Sequence, residues 1–163
     1  MKKRVYIETS IPSYLAARPA RDLIQAARQQ ITHDWWEAQR GKYDLWTSQL
    51  VLDEVGDGDP TAASRRVAFL DKLPILQTTS DVESLAAAIL WDGILPPKAL
   101  RDAVHIALCA VHRVDVLLTW NCRHIANAAI VKQLGAVTTK LGYELPILCT
   151  PEELIEDPFD ERD

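Results

Sequence analysis

The sequence predicts a single α/β domain of three layers, with a central, mostly parallel sheet between two layers of helices. Three observations lead there. Short runs rich in apolar residues recur at Arg4–Ile7 (RVYI), Asp44–Thr47 (DLWT), Pro74–Gln77 (PILQ), Val116–Thr119 and Ile147–Thr150, each of strand length. Stretches with apolar residues at helical spacing separate them, and strands alternating with helices require a parallel sheet covered on both faces. The length of 163 residues, 48% hydrophobic and 25% charged, suits one ordinary globular core.

In chain order, RVYI reads as a central buried strand ending at Glu8. Thr9-Ser10-Ile11-Pro12 follows, with Ser10 placed to cap a helix and Pro12 tolerated in its first turn. From Arg21 to Arg40 a helix is expected, its apolar face formed by Ile24, Ala27, Ile31, Trp35 and Ala38 and its end set by Gly41. DLWT is the second strand. Ser48 begins a helix over Gln49–Val55 that Gly56 closes, with Glu54 near its end.

Gly56–Pro60 is a turn by composition, and a helix resumes over Ala62–Leu73. After the third strand, Ser80 with Glu83 has the spacing of a capping box, and Leu85–Trp91 continues that helix. The loop Asp92–Pro97 leads into the stretch around which the chain is organised, Leu100–Ile125. It reads as a buried helix with Asp102 and His105 near its start, a turn at His112–Val114, and a strand ending on Trp120-Asn121. A helix near Asn127–Leu134, a weak segment around Ala136–Tyr143 and the last strand complete the domain, residues 1–151.

Residues 152–163 form an acidic tail. The chain has 23 acids and 18 Lys and Arg residues, a formal charge of −5, and the tail holds seven of the acids against one base, Arg162. The remainder is therefore near neutral, so the overall acidity does not exclude a polyanionic substrate. No apolar run reaches the ~20 residues that span a bilayer, and MKKRVYIETS turns polar too soon for a signal peptide, so no membrane role and a cytoplasmic location are expected. Three unclustered cysteines, Cys109, Cys122 and Cys149, fit a reducing compartment better than a disulfide framework.

Ligands of open parallel sheets sit beyond the carboxyl ends of the strands. The polar residues expected there are Glu8 and Asn121, with Asp102 and Glu54 as the acids to join them. These are the hard oxygen donors that magnesium or manganese takes, usually a few carboxylates completed by water and substrate phosphates. Each has a plainer explanation. Asp102 answers a helix dipole equally well, Glu8 could pair with an arginine, and Glu54 could be solvated, with Asp53 beside it as a rival.

His105, Cys109 and His112 fall at i, i+4 and i+7, a spacing that could chelate zinc, but so apolar a helix makes Cys109 core filler. Cys122 with His124 is a weaker pair. An EF-hand over Asp53–Ser64 fails because Val55 and Ser64 stand where ligands belong, and Asp57 and Asp59 are turn formers.

Three separated stretches, VYIETSIPSYL (Val5–Leu15), TSQLVLDEV (Thr47–Val55) and LRDAVHIALCAVHRVDVLLTWNCRHIAN (Leu100–Asn127), resemble the PIN-domain family, in particular the VapC-type toxins of bacterial toxin–antitoxin pairs. The resemblance implies a cluster of acids that binds Mg2+ or Mn2+ and hydrolyses RNA, single-stranded or structured. Glu8 stands in place of the first acid, Glu54 of the second, Asp102 of the third and Asn121 of the fourth. Two departures matter: Glu8 is one methylene longer than the usual aspartate, and Asn121 is neutral. Three carboxylates then hold one ion, and a one-metal mechanism is expected. Thr9 or Ser10 would contact metal-bound water or phosphate, and Arg123 and His124 would meet the RNA backbone.

Trp120 is a conceivable base-stacking surface, though core packing is its plainer role. The implied partners are RNA and an antitoxin, and a homodimer is allowed. Trp36, beside the apolar stripe of its helix, is a candidate contact for either protein partner, against a core role. A catalytically weak module of this fold, binding RNA or an antitoxin peptide, is the competing class. An aspartyl phosphotransferase is disfavoured because the first strand ends Ile7-Glu8-Thr9, without an aspartate. Metal-free cleavage would need His105 and His124 as a pair.

Overall fold

In the computed structural model, residues 1–155 are described. The chain runs β1 (Arg4–Ile7), α1 (Ser10–Ala16), α2 (Leu23–Ala38), β2 (Asp44–Ser48), α3 (Gln49–Val55), α4 (Pro60–Ala68), β3 (Ile75–Leu76), α5 (Ser80–Trp91), α6 (Leu100–Val111), β4 (Val116–Leu118), α7 (Ala128–Lys140) and β5 (Ile147–Cys149). The strands form one parallel sheet in the order β3-β2-β1-β4-β5. Helices α1 to α4 pack against one another and α5 to α7 form a second group, so the sheet lies between two helical layers.

The strand order places the crevice. The chain winds outward from β1 through β2 to β3, then crosses to the other side of β1 to lay down β4 and β5. The direction of winding therefore changes between β1 and β4, and beyond their carboxyl ends the neighbouring connections diverge and leave an opening. Val5, Tyr6 and Ile7 of β1 and Leu117 and Leu118 of β4 have no exposed surface. Each large aliphatic side chain so buried contributes about 1.5–3 kcal/mol, which makes this pair of strands a rigid base for the residues that follow them.

The order of elements agrees with expectation, and the differences are local. The N-cap residues are Thr9 and Thr79, each one residue before the expected serine. Thr79 accepts from the Val82 amide, so Glu83 falls outside a capping box and serves only as a first-turn acid. Ser10 is drawn away from capping by Glu8 and by the Trp120 amide. Helix α4 starts at Pro60, capped by Asp59, and stops at Ala68 rather than Leu73. The segment after Leu134 is not weak: α7 runs on to Lys140, because buried Val137 and Thr138 outweigh the helix-weakening Gly135.

Helix α2 is rotated from its expected face. Gln29, Thr32, Trp35 and Trp36 are buried, whereas Leu23, Ile24 and Ala27 are exposed. Both Trp35 and Trp36 belong to the core, which leaves Trp91, 93% exposed at the end of α5, as the outward tryptophan. Lys140 at the end of α7 and Leu141 just after it border the same recess as Trp91. Leu154, in the first part of the acidic tail, packs on the core and accepts a hydrogen bond from Trp35 Nε1 at 2.9 Å. Residues 156–163 lie outside the described part. No helix among the described residues is long and apolar enough to cross a membrane.

Candidate metal and nuclease site

Glu8 follows β1 directly and is 6% exposed. Its Oε2 accepts from the Ser10 amide at 2.9 Å, from Ser10 Oγ at 2.5 Å and from Thr119 Oγ1 at 2.8 Å. Thr119, just past β4, in turn accepts from the Asn121 amide at 2.9 Å, and Ser10 Oγ accepts from the Trp120 amide at 2.8 Å. The ends of the two strands at the switch point are thus laced together around one carboxylate oxygen. Among the described residues, no hydrogen bond reaches the other oxygen, Glu8 Oε1.

Glu54, in the last turn of α3, repeats the pattern. Its Oε1 accepts from Thr9 Oγ1 at 2.8 Å and from His105 Nε2 at 2.7 Å, and among the described residues Oε2 is not hydrogen-bonded. Burial raises the pKa of Glu54, but the His105 hydrogen bond, the Thr9 hydroxyl and Arg101 together outweigh it and hold the carboxyl below its ordinary value. Asp53, its rival in the sequence, is exposed and accepts from Gln49 Nε2 on its own helix at 2.9 Å.

Asp102 lies in the first turn of α6, its side chain 21% exposed. Its Oδ1 accepts from Asn121 Nδ2 at 3.1 Å and its Oδ2 meets His124 Nδ1 at 2.9 Å, while Asn121 Oδ1 accepts from the His124 amide at 2.9 Å. Both oxygens of Asp102 are therefore engaged. Asn121, neutral where an acid was the common type, works here as a clamp between Asp102 and the His124 backbone.

The structure thus brings Glu8, Glu54, Asp102 and Asn121 into one chain of contacts through the turn Glu8-Thr9-Ser10 and the loop after β4. It does not assemble them into a finished cage. Among the described residues, no three His, Cys, Asp or Glu side chains stand so as to hold one metal ion. The donor chemistry nonetheless fits a hard divalent cation. Magnesium is commonly held by one or two carboxylates with waters and substrate phosphates, and Glu8 and Glu54 each present one oxygen without a donor. Thr9 and Ser10 spend their hydroxyls on these carboxylates. Arg123 is exposed, and His124 is half-buried against Asp102.

Three residues of the site were missed in the sequence: Thr119, Tyr6 and Ser48. His105 was weighed only as a zinc ligand or in a histidine pair. It is fully buried, with both ring nitrogens bonded, Nε2 to Glu54 and Nδ1 to the Tyr6 hydroxyl at 2.6 Å. The usable signal was a histidine inside an apolar helix, since a buried ring demands partners at both nitrogens. The zinc spacing has no counterpart in space. His112 Nε2 bonds the Gln77 carbonyl at 2.7 Å, and burial pushes the Cys109 thiol well up despite Arg4, so it stays protonated.

Trp120 is 7% exposed, donates from Nε1 to Thr32 Oγ1 at 2.7 Å and lies under the Arg28 guanidinium, a packed position rather than a stacking platform. Its remaining surface joins Leu23, Ile24, Ala27 and Ile31 of α2 in lining an apolar groove of about 510 Å3.

No family model matches the chain, and no curated protein matches it. Solved structures do. The chain aligns with VapBC2 from Rickettsia felis, a structure bound to a DNA fragment from their promoter, with a TM-score of 0.59 and 14% identity over 90% of this chain and 98% of that one. It aligns with VapC20 of Mycobacterium tuberculosis, a toxin that cleaves the sarcin-ricin loop, with a TM-score of 0.57 and 18% identity over 85% of this chain and 95% of that one. Nearly the whole length of each is matched, and the five parallel strands with helices on both faces are those of the PIN-like architecture. The chain has the PIN-domain fold of the VapC toxins.

Proposed function

We propose that the chain is a divalent-metal-dependent endoribonuclease, the toxin of a toxin–antitoxin pair, hydrolysing phosphodiester bonds of RNA. The observation that carries this is the pair of half-tied carboxylates at the switch point. Glu8 and Glu54 each have one oxygen saturated by two or more donors and the other left without one. Neither open oxygen is a buried atom lacking a partner, so both face solvent, where a cation can reach them. The VapC-like neighbours support the reaction class.

Mg2+ or Mn2+, when bound, supplies Lewis acidity that activates water near neutral pH and offsets charge on the phosphate. Glu8 and Glu54 would hold the ion through their open oxygens, with Asp102 as the third carboxylate. Ser10, Thr119 and Thr9 fix the carboxylates so that little reorganisation is left for the reaction. Asn121 keeps Asp102 at the rim. His124 and Arg123 are the cationic or hydrogen-bonding groups that would be available to an RNA phosphate beside Asp102.

The test is cleavage of single-stranded RNA by the purified chain with Mn2+, with EDTA, and after Asp102→Ala. Expected are loss with EDTA, recovery on adding Mn2+, products with 5′-phosphate ends, and no cleavage by the folded variant. Cleavage that survives EDTA, or cyclic phosphate ends, would discard metal hydrolysis. A second reading, a module that binds RNA or an antitoxin without cutting, is favoured by the engagement of Asp102 with His124 and Asn121. It predicts RNA binding with no products at any Mn2+ concentration. For the antitoxin, the apolar groove along α2 fits the nonpolar face of a partner helix and adjoins the site through Trp120.

A further inference from the structure

We propose that His105 is a positioning residue: a buried hydrogen-bond chain from Ser48 through Tyr6 fixes its tautomer, so that its Nε2–H ties down one oxygen of Glu54 and leaves the other for a cation. This rests on the metal-nuclease reading of Glu54. Ser48 Oγ lies 2.7 Å from the Tyr6 hydroxyl, that hydroxyl 2.6 Å from His105 Nδ1, and His105 Nε2 2.7 Å from Glu54 Oε1. Tyr6, Ser48 and His105 have no exposed surface, so water cannot complete any bond the side chains leave open.

The direction of the hydrogens follows from counting donors. Ser48 Oγ already accepts from the Val51 amide as the cap of α3, and its own hydrogen has one acceptor among the described residues, the Tyr6 oxygen. Tyr6 must then donate to His105 Nδ1. Its phenol is held protonated, because burial first, and the neighbouring Cys109, Glu8 and Glu54 with it, push its pKa well up against the Ser48 bond. With Nδ1 an acceptor, the ring hydrogen sits on Nε2 and points at Glu54, which is the donor a carboxylate needs.

The reverse direction would leave the Ser48 hydroxyl without an acceptor in a sealed interior. The chain spans three elements: β1 supplies Tyr6, the end of β2 supplies Ser48, which caps α3, and α6 supplies His105. Thr9 Oγ1 donates to the same oxygen of Glu54, so two donors from different sides fix the carboxylate in rotation.

The test combines one measurement on the metal-free protein with one on Mn2+ binding. The 15N shifts of the His105 ring in the wild-type protein at neutral pH should show a protonated Nε2 and an unprotonated Nδ1. Gln places a donor where Nε2 was, and Asn places one where Nδ1 was. His105→Gln should therefore hold Mn2+ close to wild-type strength, and His105→Asn should bind it ~10–100-fold more weakly, the usual loss when a hydrogen bond to a ligand is removed.

Circular dichroism melts report whether each variant folds. If His105→Asn does not fold, the wild-type tautomer and the Mn2+ affinity of His105→Gln decide. A ring protonated on Nδ1, equal Mn2+ affinity in wild type and His105→Asn, or a folded His105→Gln as weak as a lost hydrogen bond predicts, would each overturn the role of His105 alone. Failure of the wild-type protein to bind Mn2+ would overturn the metal reading and this role with it.

Discussion

Glu54 and Asp102 are reached through the same turn-and-loop network, yet they are held in opposite ways. The donors on Glu54 come from a threonine beside β1 and from a sealed core histidine, and both fall on one oxygen. The donors on Asp102 come from the loop after β4, one on each oxygen, with His124 and Asn121 half-buried rather than sealed. The first carboxylate is set by the core and waits with a free lone pair. The second is set by a loop, with one partner on each oxygen. In the proposed nuclease, preorganisation on one side would supply the reference frame and the loop on the other side the adaptability a long substrate needs.

The largest effects should come from removing the carboxylates. Asp102→Ala and Glu54→Gln should each eliminate Mn2+-dependent RNA cleavage with circular dichroism unchanged, and persistence of cleavage in either would break the symmetry of role assigned to them. Glu8→Ala should cost stability as well, because two hydroxyls and an amide lose their acceptor in a nearly closed pocket. Each such orphaned group costs about 1–3 kcal/mol, read from urea denaturation. Next is a contrast of sign: His124→Ala, which frees Asp102 Oδ2, should bind Mn2+ at least as tightly as wild type, whereas His105→Asn should weaken it. Weaker Mn2+ binding by His124→Ala would show that the loop half is as preset as the core half.

Smaller effects probe the support. Tyr6→Phe strands both the Ser48 hydroxyl and His105 Nδ1, and should lower stability by about 1–3 kcal/mol in urea denaturation. The pH effect of Glu54 has a definite sign. Its folded pKa is lowered from 4.5, so the stabilisation it contributes is complete above that value and is lost as pH falls through the lower folded value. The stability gap between wild type and Glu54→Gln should therefore close on acidification below about pH 4, near the ordinary glutamate pKa. A gap that stays constant down to the acid transition would show that the carboxylate is not favoured by its partners.

How much of this was legible depends on the distance over which each feature is decided. Strands β1 and β4 were readable because a buried parallel strand is a local run of apolar residues, and Glu8 was readable because it ends one. The caps slipped by a residue, Thr9 for Ser10 and Thr79 for Ser80, since neighbouring hydroxyls compete, and at Ser10 the choice depends on Glu8 and on Trp120 from far along the chain. The buried face of α2 was misjudged because helical spacing gives a stripe without saying whether the protein covers it. The bonds of Thr119 to Glu8 and of His105 to Tyr6 join residues about a hundred positions apart, and no window of sequence contains both partners.

Of the five tryptophans, Trp35, Trp36 and Trp120 are buried and Trp46 is partly covered, under the Arg4 guanidinium, while Trp91 stands in water. A soluble quencher such as iodide should therefore extinguish one emission component and spare most of the rest. That gives the α5 corner a built-in optical reporter. Protection of the quenchable component on raising protein concentration would register self-association through this corner without any label, and its indifference would direct the search for an interface to another part of the surface.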